Sequence, residues 1–249
     1  MNALEKTAAF WDKQEISRPK QFWDLPVVQQ YRNRLVSGCE HTGYLEWFAE
    51  KYAVQPFLYG VSLGCGSGHQ EREAIRLKIA KEMLGVDIAS GRLEQAQKLA
   101  RGMPIVYQES NINAIKLDEN AFDFALCKTI LHHLTKLEHV LSELKKALQP
   151  GALLYINDYI GPARFQFPEK ILRIGDRLLS EIPPQLRRYR HDPRLTKTRI
   201  SRIDPQVIIA ADPSEAVRSD EINGLLKQYF TVVEARGTGG AILFRLLDG

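Results

Sequence analysis

The sequence predicts an α/β protein in which a mostly parallel sheet is covered by helices on both faces, a three-layer, doubly wound arrangement. From about residue 57, short apolar runs alternate with amphipathic stretches, which is typical of repeated strand and helix units. A glycine-rich turn, residues 64–68, directly follows the first apolar run. With 249 residues, 44% of them hydrophobic, the chain is long enough for one such domain with additions.

Five apolar runs bounded by turn or amphipathic sequence are predicted to be the strands of the core. They are Phe57–Leu63, Met83–Ile88, Ile105–Glu109, Phe122–Cys127 and Leu153–Asn157. Near the C-terminus, Phe230–Ala235 and Ala241–Leu247 are two further strand-like runs separated by the glycine-rich residues 237–240. That arrangement predicts a β-hairpin.

Helices are predicted between the strands from capping residues and from apolar positions at helical spacing. Ser90 begins one helix, which ends near residue 101, before a glycine and a proline. Another helix carries a stripe of apolar residues over 137–148 and ends at Pro150-Gly151. Residues 219–221 predict the start of the last helix, with acids in its first turn.

The glycine-rich turn carries the first functional signal. Gly64, Gly66 and Gly68 occupy alternate positions, and glycine lets main-chain N–H groups approach a ligand without interference from Cβ. The spacing G-x-G-x-G differs from the dinucleotide fingerprint G-x-G-x-x-G. Asp87 ends the next strand, at the interval where doubly wound folds place a carboxylate on a ribose. These residues predict a site for a nucleotide-type cofactor.

Two later segments are equally distinctive. Residues 122–134 read Phe-Asp-Phe-Ala-Leu-Cys-Lys-Thr-Ile-Leu-His-His-Leu, and residues 148–154 read Leu-Gln-Pro-Gly-Ala-Leu-Leu. With the glycine turn, they resemble the class I S-adenosylmethionine-dependent methyltransferases over residues 57–160 and 219–249. The resemblance implies a Rossmann-like sheet of seven strands in the order 3-2-1-4-5-7-6, the last antiparallel, with S-adenosylmethionine as methyl donor and S-adenosylhomocysteine as product.

The resemblance also implies which residues hold the cofactor. Asp87 would accept hydrogen bonds from the two ribose hydroxyls, while Asn111 and Ile112 would meet the adenine. Two positions depart from the family pattern, because Ser62 stands where Asp or Glu is common and Asn111 stands where Asp is common.

With Ser62 in that position, recognition of the methionine ammonium would rest on other groups. Main-chain carbonyls near Gly64 and Lys128 are candidates. Glu71 either contributes to the same recognition or serves as a favourable charge at a helix start. The full predicted set is Ser62, Gly64, Cys65, Gly66, Ser67, Gly68, Glu71, Asp87, Ile88, Asn111, Ile112 and Lys128.

The predicted catalytic residues lie at the ends of the fourth and fifth strands. Methyl transfer from a sulfonium depends mainly on alignment, and a base is needed only where the nucleophile carries a proton. His132 and His133 are the first candidates for that base because imidazole titrates near neutrality, although a packing role for one of them stays open. Tyr159 and Asp158 are the alternatives.

No metal site is expected from the sequence. No set of oxygen ligands stands at a recognisable spacing, and His191-Asp192 alone is too little. Cys39, Cys65 and Cys127 form no C-x-x-C pair, so reduced thiols are expected rather than disulfides or zinc ligands.

Four segments are predicted. Residues 1–55 are an aromatic-rich helical cap, 56–160 the cofactor-binding core, 161–218 a basic, proline-rich substrate or lid insertion, and 219–249 the last helix and hairpin.

The insertion is the basic part of the chain. Residues 161–202 hold 11 Lys or Arg against 4 Asp or Glu, while the whole chain has a net charge of +4. Arg164, Arg188 and Arg218 are therefore predicted to bind an anionic group of the substrate, with a solvated basic face as the alternative.

The leading hypothesis is methyl transfer to oxygen or nitrogen of a small, anionic metabolite of saccharide or specialised-metabolite type in a bacterium. An RNA methyltransferase is the alternative, favoured by the basic insertion and a pI near 8.9, but no N/D-P-P-Y/F pattern follows the fourth strand and no nucleic-acid module is evident. A non-catalytic cofactor-binding protein is the third reading.

Location and partners follow from composition. No apolar run approaches the length of a membrane span, and the first residues lack the order of a signal peptide, so a cytoplasmic protein without membrane or nucleic-acid partners is expected. A homodimer is left open.

Overall fold

The computed structural model describes residues 3–13, 22–189 and 192–247. Its core is one sheet of five parallel strands in the order β3-β2-β1-β4-β5. The strands are β1 (Phe57–Leu63), β2 (Ala80–Asp87), β3 (Ile105–Glu109), β4 (Phe122–Lys128) and β5 (Leu148–Asn157). The strand order reverses between β1 and β4, and in such sheets ligands bind in the crevice beyond the carboxyl ends of the strands at that point.

Helices precede, separate and follow the strands. They are α1 (Ala3–Lys13), α2 (Pro26–Ser37), α3 (Tyr44–Tyr52), α4 (His69–Arg76), α5 (Ser90–Leu99), α6 (Leu137–Ala147), α7 (Glu169–Glu181), α8 (Pro205–Ala211), α9 (Ile222–Tyr229) and α10 (Ala241–Leu247). Within the described residues, none of these helices combines the length and apolar character needed to cross a bilayer.

The sheet is buried on both faces, as the near-continuous apolar sequence of its strands predicts. Alternate residues of β4 point to opposite faces. Ala125 and Cys127 belong to a core that includes α6 and α9, whereas Phe124 and Leu126 belong to a second core that includes α3 and α4. The result is the three-layer arrangement predicted from the alternation of strands and helices.

The insertion after β5 has a small apolar core of its own. Phe167, Leu172, Leu179 and Ile200 are buried together, and aromatic and aliphatic side chains of α10 pack against them. The C-terminal helix therefore belongs to the insertion rather than to the edge of the sheet.

The predicted strands of the core are confirmed, and the predicted C-terminal hairpin is wrong. β1 and β3 have the predicted bounds, while β2 and β5 begin earlier than predicted. Phe230–Ala235 has no regular secondary structure, and Ala241–Leu247 is α10. Among the described residues the sheet thus has five parallel strands, not the predicted seven with a last antiparallel strand.

Contacts with α2 and α3 explain the first departure, and the composition of the run explains the second. Glu234 accepts hydrogen bonds from Lys51 Nζ, at 2.8 Å, and from the Tyr52 hydroxyl, and these contacts hold the segment against α3. Arg236 donates to the carbonyl of Val36 at 2.7 Å. The run Ala241–Leu247 consists mainly of good helix formers, and a short apolar run cannot be assigned to strand or helix by periodicity alone.

Phe244 tests the observed position of α10. Its ring centroid lies 5.0 Å from that of Phe165, so we expect Phe244→Ala to destabilise the insertion by about 1–3 kcal/mol. Hydrogen exchange measured by mass spectrometry should rise in residues 165–182 and 241–247 and stay unchanged in the five strands. Val233→Ala is the matched control, because Val233 is 69% exposed in the segment predicted as a strand. A large effect of the control and none of Phe244→Ala would contradict the observed packing.

Candidate cofactor and active site

The glycine turn lies at the carboxyl end of β1, beside the point where the strand order reverses. Gly64 has a φ of +70°, and a Cβ there would stand 2.6 Å from Ile130, so only glycine fits. Gly66 has a φ of +52°, but its Cβ would meet only the Arg92 guanidinium, at 3.4 Å. Gly66 therefore marks the open side of the turn, where a ligand can approach the main chain.

Asp87 stands across from this open side, at the end of β2. Its Oδ2 accepts a hydrogen bond from Gly66 N at 2.8 Å, and its Oδ1 accepts one from Ala89 N at 2.9 Å. Since each carboxylate oxygen has about two acceptor positions, both can still accept from a hydroxyl. A fixed carboxylate beside an open glycine turn fits the ribose of an adenosyl group.

Helix α1 covers the region between the glycine turn and the start of α5. Trp11 accepts a hydrogen bond from Arg92 Nε at its carbonyl, at 2.7 Å, and the Arg92 guanidinium lies 4.9 Å from the centre of the Trp11 ring. Asp12 Oδ1 accepts from Gly91 N at 3.0 Å. On its other side the Trp11 ring meets His133 edge-on, with centroids 5.1 Å apart. α1 thus spans from the start of α5 to the segment that follows β4.

The predicted adenine contacts lie beyond β3. Asn111 Oδ1 accepts from Asn113 N at 3.0 Å and so caps a short 3₁₀ helix, and Ile112 is buried in the core. Asn113 Oδ1 in turn accepts from Thr135 N and Lys136 N, both at 2.9 Å. These bonds tie the end of β3 to the segment after β4, and the adenine role of Asn111 and Ile112 stays a prediction.

The other predicted cofactor residues differ in how far they are buried. Cys65 is buried, and burial raises the pKa of its thiol far above the ordinary range. Ser67 accepts a hydrogen bond from Arg72 Nη1 at its carbonyl, at 2.7 Å. Ile88 and Lys128 are half-buried at the ends of β2 and β4.

Glu71, in the first turn of α4, is fully buried, unlike a solvated helix-start acid. Neither of its carboxylate oxygens has a hydrogen-bond partner of normal geometry among the described residues. The buried hydroxyl of Ser62 likewise lacks such a partner there. Burial raises the pKa of Glu71 to about 7, while the nearby Ser62 hydroxyl acts in the opposite direction. This carboxyl group is therefore protonated much more readily than an ordinary one.

Asp158 organises the second half of the site. Its side chain is fully buried, and Oδ2 accepts from Ile130 N at 2.9 Å and from Leu131 N at 2.8 Å. Oδ1 accepts from Tyr159 N at 2.7 Å and contacts His132 Nδ1 at 2.5 Å. The carboxylate thus fixes the turn after β4 and the ring of His132 at once.

His132 lies between two carboxylates. Its Nε2 is 3.5 Å from Glu215 Oε1, on the opposite side of the ring from Asp158. Burial disfavours the charged ring, but the hydrogen bonds with Asp158 and Glu215 prevail and raise the pKa of His132 to about 9. At neutral pH the ring is protonated and serves as a donor between two acceptors, so it does not act as a free base.

His133 has the opposite electrostatic character. Its Nδ1 lies 3.0 Å from the Ser214 hydroxyl and 3.6 Å from Asp212 Oδ2. Burial, followed by the charge of neighbouring His132, lowers the pKa of His133 to about 4. The ring is therefore neutral at pH 7.

Tyr159, the third predicted catalytic residue, has an engaged hydroxyl. It donates to the carbonyl of Pro162 at 3.0 Å, and burial raises its pKa above the ordinary range. Tyr159 therefore holds the start of the insertion and stays protonated.

Two of the arginines predicted to bind substrate contact the protein itself. Arg164 donates to the carbonyls of Glu215, at 2.6 Å, and Pro213, at 2.7 Å. The guanidinium of Arg218 binds the carboxylates of Glu138 and Glu221 through both terminal nitrogens and Nε. These contacts take up donors of both guanidinium groups, and substrate binding by Arg164 and Arg218 stays a prediction. Arg188 is exposed.

The residues that the sequence analysis missed come from the insertion. Asp212, Ser214 and Glu215 lie against the two histidines, and the main chain joins them there through Val217 N, which donates to the His132 carbonyl at 3.0 Å. The acids of 212–215 were visible in the sequence, but no spacing connects them to a segment about 80 positions earlier. His191, named in the sequence analysis, lies outside the described residues.

Comparison with known proteins agrees with this geometry. Residues 61–156, which contain the glycine turn, Asp87 and both histidines, match the family model described as a methyltransferase domain. This segment is similar to the class I methyltransferases, and the match spans less than half of the chain. The cofactor of the family is S-adenosylmethionine, whose ribose fits the carboxylate of Asp87.

Relatives of the methyltransferase domain include small-molecule enzymes. A 2-phytyl-1,4-naphtoquinone methyltransferase of Trichormus variabilis is 29% identical over 147 residues, which are 57% of this chain and 64% of the relative. The chain thus spans less than two thirds of that relative's length. A 27-O-demethylrifamycin SV methyltransferase of Amycolatopsis mediterranei is 22% identical, with 71% of this chain and 69% of the relative covered.

A solved structure shows the same fold. Phosphoethanolamine N-methyltransferase 2 of Haemonchus contortus, in complex with S-adenosyl-L-methionine, is 12% identical with a TM-score of 0.54. The similarity covers 90% of this chain and 44% of that chain.

Glu71 generates a prediction about stability and pH. Because its folded-state pKa is raised from 4.5 to about 7, the folded protein keeps a proton that the unfolded chain releases. We expect the stability of the native protein relative to Glu71→Gln to fall as the pH rises between these two values, by on the order of 1–3 kcal/mol, because the opposite contribution of His133, whose pKa is lowered, is common to both proteins. Urea unfolding at several pH values from 4 to 8 measures it.

The matched control is Glu73→Gln, on the same helix and paired with Arg76 at the surface. It should keep the decline with pH. A decline equal in the native protein and in Glu71→Gln would show that another group causes it.

Proposed function

We propose that this protein transfers a methyl group from S-adenosylmethionine to oxygen or nitrogen of a small molecule. The observation that carries the proposal is the Asp87 carboxylate, fixed by Gly66 N on the open side of the glycine turn. That pairing stands at the point of the sheet where doubly wound folds bind nucleotides. The methyltransferase domain and the small-molecule relatives support the same reading.

The cofactor, when bound, supplies an activated methyl group on a sulfonium, and the chain's own residues bind and align. Asp87 would hold the ribose hydroxyls, and the ligand would approach the main chain of the glycine turn at Gly66. α1 would cover the site through Trp11 and exclude water from it. Much of the rate would come from this alignment.

The charge states of the two histidines suggest which acceptors are suitable. His132 is already protonated at pH 7, so His133, the neutral ring, is the one of the pair able to take a proton. With a pKa of about 4, His133 is a weak base. We therefore favour acceptors that lose their proton easily, such as acidic hydroxyls and carboxylic acids, over aliphatic alcohols.

An anionic acceptor also agrees with the charge of the insertion. The excess of Lys and Arg in residues 161–202 remains, although Arg164 and Arg218 are engaged with the protein. Exposed arginines such as Arg188 support the approach of a carboxylate or a phosphate.

Calorimetric titration with S-adenosylhomocysteine tests the proposal. We expect micromolar binding to the native protein and at least about 10-fold weaker binding to Asp87→Asn, because an amide accepts fewer hydroxyl hydrogen bonds and places a donor beside Gly66 N. Asp118→Asn, which changes an exposed carboxylate before β4, is the matched control and should bind normally. Well-folded native protein that binds no S-adenosylhomocysteine would refute the proposed function.

Turnover with labelled S-adenosylmethionine then separates the acceptor classes. Phenols and carboxylic acids should be methylated faster than aliphatic alcohols, and faster than RNA. Methylation of RNA, with binding that weakens steeply as salt rises, would instead favour a nucleic-acid substrate.

A further inference from the structure

Three side chains from two distant parts of the chain converge beside the proposed active site. His132 and His133 follow β4, and Glu215 belongs to the insertion. Each can offer one nitrogen or oxygen atom such that the three atoms lie within 4.8 Å of one another. His132 Nε2 and Glu215 Oε1 are 3.5 Å apart, close to the separation of about 3.3–3.5 Å expected for two donors at 2.0–2.1 Å from a tetrahedral zinc ion.

We propose that His132, His133 and Glu215 bind one divalent transition-metal ion, with Zn²⁺ as the best match. Two imidazole nitrogens, which are borderline donors, and one carboxylate oxygen suit zinc, cobalt, nickel or ferrous iron and not calcium or magnesium, whose ligands are mainly oxygens. The Glu215 side chain is 26% exposed, so it can adjust to complete the site while the histidines stay buried.

The rings are already oriented in the manner of metal ligands. Histidines that ligate a metal usually donate the N–H of their other ring nitrogen to a carboxylate or a similar acceptor, which sets the tautomer and the ring plane. Nδ1 of His132 contacts Asp158 Oδ1 in this way, leaving Nε2 to face Glu215. His133 has a comparable contact through Nδ1 with the Ser214 hydroxyl.

The side chains around the two histidines carry an excess of negative charge, which favours the binding of a cation. Three carboxylates lie against the two rings, those of Asp158, Asp212 and Glu215. The guanidinium of Arg164 donates to the carbonyl of Glu215. Asp212 is buried, and its Oδ2 has no hydrogen-bond partner of normal geometry among the described residues. With both imidazoles neutral, as ligation requires, these described side chains set three negative charges against one positive charge, and a divalent ion balances them.

The position of the ion suggests what it could bind. Three protein ligands leave zinc with an open coordination position, the arrangement of catalytic rather than structural zinc sites. The site lies at the carboxyl end of β4, so this position could take a hydroxyl or carboxylate oxygen of the methyl acceptor, a role that rests on the proposed function. With the ion bound, His133 would be a ligand and not the base, and the ion would favour the deprotonated acceptor in its place. Metal binding itself does not depend on methyl transfer.

Titration with Zn²⁺ alone tests the proposal. Cys39, an exposed thiol, and His41 flank Glu40 on the surface and could bind zinc adventitiously, so the reference protein carries Cys39→Ser and His41→Gln. We expect it to bind one Zn²⁺ per chain by calorimetry, and Co²⁺ to give the intense visible absorption of a four-coordinate site. Adding His132→Gln or Glu215→Gln should weaken zinc binding by about 10- to 100-fold or more. His69→Gln, at another surface histidine, is the matched control and should change nothing.

The outcomes are distinct. A reference protein that binds no zinc, or that binds it equally with and without Glu215→Gln, would overturn the proposal. If His132→Gln does not fold because Asp158 loses its partner, Glu215→Gln decides, since that side chain is partly exposed. S-adenosylhomocysteine binding is measured on the same variants. If a variant loses zinc binding but still binds S-adenosylhomocysteine, the metal site and the cofactor site are independent of each other.

Discussion

The buried carboxylate of Asp158 is the constraint on which the candidate site depends. Its two oxygens take contacts from three main-chain N–H groups and one imidazole, so a charge that would be costly alone in the interior is compensated on every side. The turn it fixes includes Thr129, a β-branched residue held at a φ of +51°. Such backbone strain persists only where surrounding contacts hold the residue in that conformation. The hydrogen bonds from the next two N–H groups to Asp158 help to do so.

Two buried carboxyl groups of the domain show how hydrogen bonding decides electrostatic behaviour. Asp158 is saturated with donors and acts as a rigid anchor. Glu71 is just as buried, but its oxygens lack such donors among the described residues, and its proton affinity rises accordingly. One of these carboxyl groups thus organises structure, and the charge of the other depends on pH. His132 and His133 repeat this contrast in adjacent imidazoles, since only His132 has two carboxylate partners within hydrogen-bond range.

The parts of the structure that local sequence determines were predictable. The strands of the core and the glycine turn follow from apolar runs and from the steric demands at Gly64. The hairpin prediction failed because the run Ala241–Leu247 suits a buried helix as well as a strand, and its partner, the insertion core, is remote in sequence. Contacts such as that of His133 with Ser214, 81 positions apart, leave no local pattern. The arginines were predicted to bind an anionic group of the substrate. In the structure, Arg164 and Arg218 bind carbonyls and carboxylates of the protein itself.

The start and the end of the insertion are held together largely through main-chain atoms. Arg164 binds the carbonyls of Pro213 and Glu215, its own N–H donates to the carbonyl of Ala216, and Val217 N donates to the carbonyl of His132. A carbonyl oxygen is present whatever side chain its residue carries. This closure can therefore survive substitution at positions 213, 215 and 216 while Arg164 is retained, which would let related proteins vary the residues between the two ends of the insertion without rebuilding the contact that closes it.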